Sequence, residues 1–487
     1  MNSDTADTVV RAAYAAGAPA ASESAAALEH TPPRLRERAW LRIPRWWLRL
    51  RAEEARMTAI RESWRALWMS RLLVWAAAVS SLVAFGFGPV RSAFNPPGVT
   101  RGFGWLGNLL AAPAARWDSA WYLVIAHYGY RPDLGAYTAS RAAFFPLYPF
   151  GLRAISWFGV QPVLAGVLLS LAAFAFALYG IHRLTTLELG PGARLSLGRE
   201  RTADAARLAV LLTAFAPMAF YFSAVYSESL YLALSVGLFW SARHGRWMLV
   251  GVLGALASAT RSTGLVLVLP AVMIYLYGPR EDRAADFVRV ARARLLPRYR
   301  VRRDALWLWL MPLGIALYGG GLALAGGSPL APLSAQGDWG RHIAGPFVGV
   351  WDGFTAAVAG ARQLLSMQRH HLYLPAAPGS PFVSAGHNLM LLAFLLVAVP
   401  ALIGVLRALP LAYGVYALAA LALPLSEPVS GQPLMSLPRF LVVLFPLAIW
   451  AGARLAEHPR AQRPLLAGSA VLMAFFVAQF SSWHWVA

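Results

Sequence analysis

Apolar stretches of about 18 to 25 residues, apolar on every side, recur along this sequence. That is the length a helix needs to cross a bilayer. In hydrocarbon the backbone must satisfy its own hydrogen bonds, which leaves helices or a closed barrel, and a barrel would alternate with period two. The pattern therefore predicts an all-α polytopic membrane protein with about eleven transmembrane helices, over 67–88, 161–182, 206–222, 226–242, 246–260, 263–278, 305–325, 386–407, 410–424, 438–454 and 465–484. The pair 246–260 and 263–278 is short for a bilayer. Two long connections, about 89–160 and 326–385, mix aromatic, Pro and Gly residues with short apolar runs, and short helices along the membrane surface are expected there, chiefly in the first. Residues 1–33, rich in Ala, Ser and Thr, read as a disordered cytoplasmic tail. Residues 34–66, with Arg45-Trp46-Trp47-Leu48-Arg49, read as a basic amphipathic segment on anionic lipid, the alternative being a solvated basic helix. The multi-span domain then occupies 67–487. No cleavable signal peptide is expected, because the first apolar stretch lies some 65 residues in and has full span length.

Composition agrees. Of 487 residues 58% are hydrophobic and only 13% charged, where soluble domains carry about a quarter charged. The net charge of +21 would ordinarily suggest nucleic acid, but all 43 basic residues are Arg and they gather between the spans. If the N-terminus is cytoplasmic, the cytoplasmic loops hold Arg183, Arg194, Arg199, Arg201 and Arg207, then Arg243 and Arg246, then a run from Arg280 to Arg303, then Arg407, then Arg454, Arg460 and Arg463. The positive-inside rule accounts for that bias and puts both long connections on the external face. Arg without Lys hints at a GC-rich genome, hence a bacterial plasma membrane. The absence of Cys excludes disulfide and thiolate chemistry.

Candidate chemistry collects on the external side. The first long connection carries Trp117-Asp118-Ser119-Ala120-Trp121-Tyr122, an acid among aromatics. Desolvation would make such an acid a better base, whereas a lone loop Asp is more often a helix cap or a surface charge. Phe145-Pro146-Leu147-Tyr148-Pro149 offers flat apolar faces for a sugar or a polyprenyl chain, or forms a rigid turn. In Tyr226-Ser227-Glu228-Ser229, Glu228 suits a helix N-terminus, with Ser227 as its cap. Arg261 and Arg439 sit at outer span ends against the charge trend, so each needs an anion, either a protein carboxylate or a phosphate. His370 and His371 could meet phosphate or sugar; no third ligand stands at metal spacing, so no metal site is expected. The run Gly319-Gly320-Gly321 reads as close helix packing.

Several of these blocks together resemble the PIG-V family of mannosyltransferases. They are Trp117-Asp118 followed by Ile125-Ala126 and Gly129-Tyr130, Phe145 to Pro149, Tyr226-Ser227-Glu228-Ser229-Leu230, Ala259-Thr260-Arg261-Ser262, and Pro438-Arg439-Phe440 leading to Phe445-Pro446. Position 216 is Ala where the resemblance leads one to expect Asn. The resemblance implies a GT-C type glycosyltransferase that takes sugar from a polyprenyl-phosphate carrier, with its essential Asp at Asp118. On that basis Asp118 is the general base. Trp117, Tyr122, Phe145, Tyr148, Tyr226, Glu228, Arg261, His370, His371 and Arg439 are the donor- and substrate-binding candidates. No cofactor is expected beyond the lipid-linked donor, for which polyprenyl-phosphomannose is the first choice. The acceptor would be a hydroxyl on a lipid, glycan or protein. An arabinofuranosyl or other pentosyl or hexosyl transferase of the same fold, and a lipid-linked sugar flippase, remain as alternatives. A flippase would place ionisable residues at mid-membrane rather than at outer span ends.

Overall fold

The computed structural model describes residues 45–86, 104–130, 138–286 and 296–486. Residues 59–487 form one compact unit, and the other ends at Thr58. Among the described residues the fold is helical, with one isolated β-bridge between Arg341 and Val429 and no strand.

Five helical stretches are long and apolar enough to cross a membrane: Glu53–Phe85, Pro162–Leu189, Arg303–Leu324, Pro381–Ala408 and Pro459–Ser481. They correspond to the predicted spans beginning at 67, 161, 305, 386 and 465. The first predicted span is not a separate element, because helix α1 runs unbroken over Arg45–Phe85 and takes in the latter part of the predicted interfacial segment. The predicted tail, and residues 34–44 of that segment, lie outside the described residues.

The first long connection contains the expected short helices: α2 Gly104–Leu110, α3 Ser119–Tyr128 and α4 Leu147–Ser156. The long helix α5, Pro162–Leu189, follows; Pro sits in its first turn, where the missing N–H costs nothing, and Gln161 accepts from the Val163 and Leu164 amides as cap. Next come α6 Arg199–Ala214, α7 Glu228–Arg243, α8 Trp247–Ser258, α9 Val268–Tyr277 and α10 Leu313–Leu324. Helix α10 continues a 3-10 turn over Arg303–Leu310.

The second long connection departs from a set of short surface pieces, since it holds the 21-residue helix α11, Pro346–Ser366. Helix α12, Pro381–Ala408, packs along it. The remainder is α13 Leu411–Leu425, α14 Leu437–Val442, α15 Phe445–Ala456 and α16 Pro459–Ser481.

Several predicted spans prove shorter or broken. The stretch 206–222 ends as a helix at Ala214 and resumes as a 3-10 turn at Ala219–Ser223, with Pro217 between them. The stretch 438–454 is split between α14 and α15 just ahead of Pro446, which cannot donate to the preceding turn. Helices α8, α9, α13 and α15, at 10 to 15 residues, fall short of a full crossing. Close contact binds the middle of the unit: a Cβ added at Gly452 of α15 would come within 2.6 Å of the Ala205 carbonyl on α6. The Gly319-Gly320-Gly321 run does not form such a contact throughout. Only Gly319 approaches a neighbour, Pro329, while Gly320 and Gly321 meet nothing.

Candidate active site

Asp118 occupies the N-cap position of α3, but its side chain makes no capping bond. Its Oδ2 instead accepts from Arg439 Nη1 at 2.7 Å, across 321 residues of sequence. The acid is therefore neither a cap nor a solvated surface charge. Its Oδ1 takes no hydrogen bond from the described residues. The backbone holds it in place: Tyr226 Oη accepts from the Asp118 amide at 3.1 Å and donates to the Arg116 carbonyl at 3.1 Å.

Ser227 is the N-cap residue of α7 and also makes no capping bond; its Oγ lies 2.9 Å from Tyr122 Oη. Glu228, the first residue of α7, is fully buried. Its Oε1 accepts from Arg439 Nε at 3.1 Å and Nη2 at 2.9 Å. Arg261 Nη1 stands 3.1 Å from the same oxygen, an ion pair whose angle falls short of a hydrogen bond. Thus Arg439 joins two carboxylates, and Glu228 joins two guanidiniums. The anion that Arg261 and Arg439 required is, in the first instance, protein. A buried carboxylate without such partners would carry a large desolvation cost.

Two of the chain turns that build this cluster are strained. Trp117 (φ 54°) and Ser436 (φ 69°) are in the left-handed region without being glycine. One immediately precedes Asp118, and the other lies three residues before Arg439. Such conformations cost about 1–3 kcal/mol each and persist where the surroundings over-determine them.

A cavity of about 570 Å³ opens onto the cluster. Asp118, Tyr122, Phe145, Arg261 and Arg439 line it, with Phe144, Trp339, Arg341, Glu427 and Trp485 among the other wall residues. Burial, then the charge of Glu228, pushes the Tyr122 hydroxyl up to about 12, so it remains a neutral phenol at physiological pH. Phe145 packs against Tyr318, ring centroids 5.1 Å apart.

Other candidates lie elsewhere. Tyr148 is fully buried and does not face the cavity; its hydroxyl bonds the Gly166 carbonyl (3.0 Å) and Ser170 (2.8 Å), fastening α4 to α5. Tyr226 and Trp117 stand behind Asp118, the latter edge-on to Trp483 and Trp485. His370 is exposed and His371 bonds the Gly379 carbonyl at 3.2 Å; neither lines the cavity of Asp118. Their sequence neighbourhood suggested proximity, but α11 and the turn after it carry them to a second cavity, which His371 lines.

Sequence reasoning missed Arg341. It lines the cavity, donates to the Glu427 carbonyl at 3.0 Å, and has no carboxylate within ion-pair distance among the described residues. Burial pulls its guanidinium below the usual value. It sits in the second long connection with no distinctive motif around it, so only tertiary placement reveals it. Trp485, near the end of the chain, is missed for the same reason.

This is a site of fixed paired charges and aromatic walls in a helical bundle with membrane-length helices. Residues 74–278 match the family model described as mannosyltransferase (PIG-V), and that stretch carries the family's sequence pattern. The resemblance read from the motifs is borne out there; the stretch includes Asp118, Glu228 and Arg261, while Arg341 and Arg439 lie beyond it. Over 190 residues the chain is 30% identical to GPI alpha-1,6-mannosyltransferase 2 of Cricetulus griseus, covering 36% of this chain and 35% of that protein. The aligned part thus spans about a third of the length of the curated relative. Among solved structures, the Archaeoglobus fulgidus oligosaccharyltransferase, tethered to an acceptor peptide, aligns with 86% of this chain and 55% of its own at 12% identity and a TM-score of 0.36. Among the described residues no group of three His, Cys, Asp or Glu side chains is placed to hold a metal.

Proposed function

We propose that this protein is a membrane glycosyltransferase of GT-C type that moves mannose from a polyprenyl-phosphate carrier to an acceptor hydroxyl, with inversion. The observation that carries the reading is Asp118 at the cavity wall, one oxygen fixed by Arg439 and the other without a hydrogen bond from the described residues. The family match over 74–278 supports the reaction class. The carboxylate accepts the proton of the acceptor hydroxyl as that oxygen attacks the anomeric carbon. The carbon–oxygen bond to the carrier phosphate breaks, and the phosphate leaves from the opposite face with the bonding electrons. No general acid is needed, since a phosphate is already a good leaving group. Arg341, which has no ion-pair partner among the described residues, and Arg261 hold the phosphate as charge grows on it. This differs from a phosphate cradle of Arg261 and Arg439 with His370 or His371, because Arg439 is committed to Glu228 and Asp118 and neither histidine lines this cavity. The Arg distribution favours a cytoplasmic N-terminus and an external site in a bacterial plasma membrane.

The test is purified Asp118→Asn protein given polyprenyl-phosphomannose. The substitution keeps the shape and removes the base. Transfer is expected to fall about 10²–10⁴-fold. A near wild-type rate would sink the mechanism.

A further inference from the structure

Beside the charged cavity lies a second one of about 420 Å³, within the size range of small-molecule sites. Trp339 and Met435 line both. The chemistry of the two walls differs sharply. The first cavity carries Asp118, Arg261, Arg341, Glu427 and Arg439. The second has no Asp, Glu or Arg among its lining residues. Its polar groups are neutral amides, hydroxyls and an imidazole, set among aromatic faces. Asn388, which is buried, gives Nδ2 to the Gly431 carbonyl at 3.2 Å, and its Oδ1 accepts nothing from the described residues. Gln432 places Nε2 3.5 Å from His387 Nδ1 and likewise leaves Oε1 without a protein donor. An amide offers both a donor and an acceptor, which suits a hydroxyl that does both. Flat faces from Trp339 and Tyr373 complement the C–H faces of a sugar ring.

We infer that this second cavity is the acceptor subsite, and that the acceptor is an uncharged, hydroxyl-rich saccharide rather than a phosphorylated or otherwise anionic group. The inference rests on the reading of Asp118 and the charged cavity as the site of transfer. Charge sorts the two substrates: the anionic carrier goes to the arginines, and the neutral sugar goes to the amides. Trp339 and Met435 form the boundary at which the acceptor hydroxyl meets the donor. A wall without Arg or Lys gives little compensation for burying an anion, whereas amides left unpaired penalise an acceptor that lacks hydroxyls.

The experiment uses the full chain in detergent and reads two quantities. One is saturation-transfer NMR with methyl α-mannopyranoside as the acceptor probe, and with mannose 6-phosphate in parallel. The other is transfer kinetics from polyprenyl-phosphomannose to the same methyl glycoside. Asn388→Leu and Gln432→Leu each should weaken the neutral probe and raise its KM about five- to tenfold, with the donor KM unchanged. Mannose 6-phosphate should displace the neutral probe less readily than unlabelled methyl α-mannopyranoside does, however tightly it binds at the arginines. If either variant fails to fold, the milder Gln432→Ala carries the same readout. Unchanged binding and unchanged acceptor KM in the variants would overturn the subsite, as would displacement of the neutral probe by mannose 6-phosphate at lower concentration than by the methyl glycoside. These results are separable from failure of the transfer mechanism. If Asp118→Asn retains full transfer while the subsite variants lose the probe, the mechanism falls and the subsite stands.

Discussion

Helix α7 begins at Glu228 and ends at Arg243, and each end carries a buried carboxylate–guanidinium cluster. The signs suit the helix dipole at both ends. At the C-terminal end, Arg243 Nε donates to Glu188 at 2.6 Å and Nη1 to Glu281 at 3.0 Å, while the Tyr413 hydroxyl donates to Glu188 at 2.8 Å. Arg243 and Glu188 line neither the charged cavity nor the second one. At the N-terminal end, Glu228 is equally buried, but its partner Arg439 continues to Asp118 and the cavity. The difference lies in what the last charge in the chain of contacts faces. Around Arg243 every charge is answered by protein, so the cluster fixes helix positions. Around Glu228 the protein charges hold a carboxylate oxygen of Asp118 at a wall where something else can meet it, and Arg341, held separately by the Glu427 carbonyl, lines the same cavity. A buried ion pair is by itself weak evidence for function; an ion pair that aims an unspent group into a cavity is stronger.

That contrast can be broken most forcefully at Arg439. Among the described residues, Arg439→Ala leaves Glu228 paired with Arg261 and removes the one hydrogen-bond donor to Asp118 Oδ2, so both stability and transfer should suffer. Removing one partner of a buried pair costs about 3–5 kcal/mol. Thermal unfolding in detergent and the transfer assay should both report large losses. Arg439→Lys keeps the charge but cannot serve two carboxylates with a rigid fork. It should recover much of the stability while transfer stays at least tenfold down. Recovery of both would mean that Arg439 only neutralises. At the other end of α7, Glu188→Gln strands Arg243 with Glu281 alone, which is about half exposed. It should lower the unfolding temperature with no change in KM for donor or acceptor. A shift in either KM would show that the two clusters are not functionally distinct.

The helical class and the five long spans were legible because a run of apolar residues around twenty long has few other uses. The site was legible in its parts and not in its wiring. Trp117-Asp118, Glu228, Arg261 and Arg439 each stood out against a local expectation, and four of them meet in space. No local pattern could reveal that Arg439 bridges Asp118 and Glu228, since the contacts cross 321 and 211 residues. Ser227 illustrates a local rule overridden. It has the composition and position of a cap, yet its hydroxyl faces Tyr122. Tyr148 illustrates the reverse: an aromatic in a conspicuous motif is there to pin two helices. The histidines misled because position in a loop says nothing about which cavity the loop lines.

Two smaller perturbations sharpen the comparison. Arg341→Ala removes the cavity cation that has no ion-pair partner among the described residues. It should raise the donor KM about tenfold, as loss of one charge-assisted phosphate contact of about 1.5–3 kcal/mol implies, and leave thermal stability nearly unchanged. Equal donor KM would return the phosphate to Arg261 and Arg439.

Tyr148→Phe should have the smallest effect, and its kind matters more than its size. The hydroxyl sits against Ser170 and the Gly166 carbonyl, in a fully buried position between α4 and α5. Ser170 also donates to the Ala224 carbonyl at 2.8 Å, three residues before Ser227 and the start of α7. Deleting the phenolic oxygen leaves Ser170 with that second partner, so about 1 kcal/mol of stability is expected to go. Donor and acceptor KM should not move, because the side chain lines neither cavity. If kcat falls while both KM values hold, the contact must act through Ala224 on the register of Glu228. Tyr148 would then be a positioning residue for the charged cluster, and the line between the structural and functional ends of α7 would have to be drawn further from the cavity.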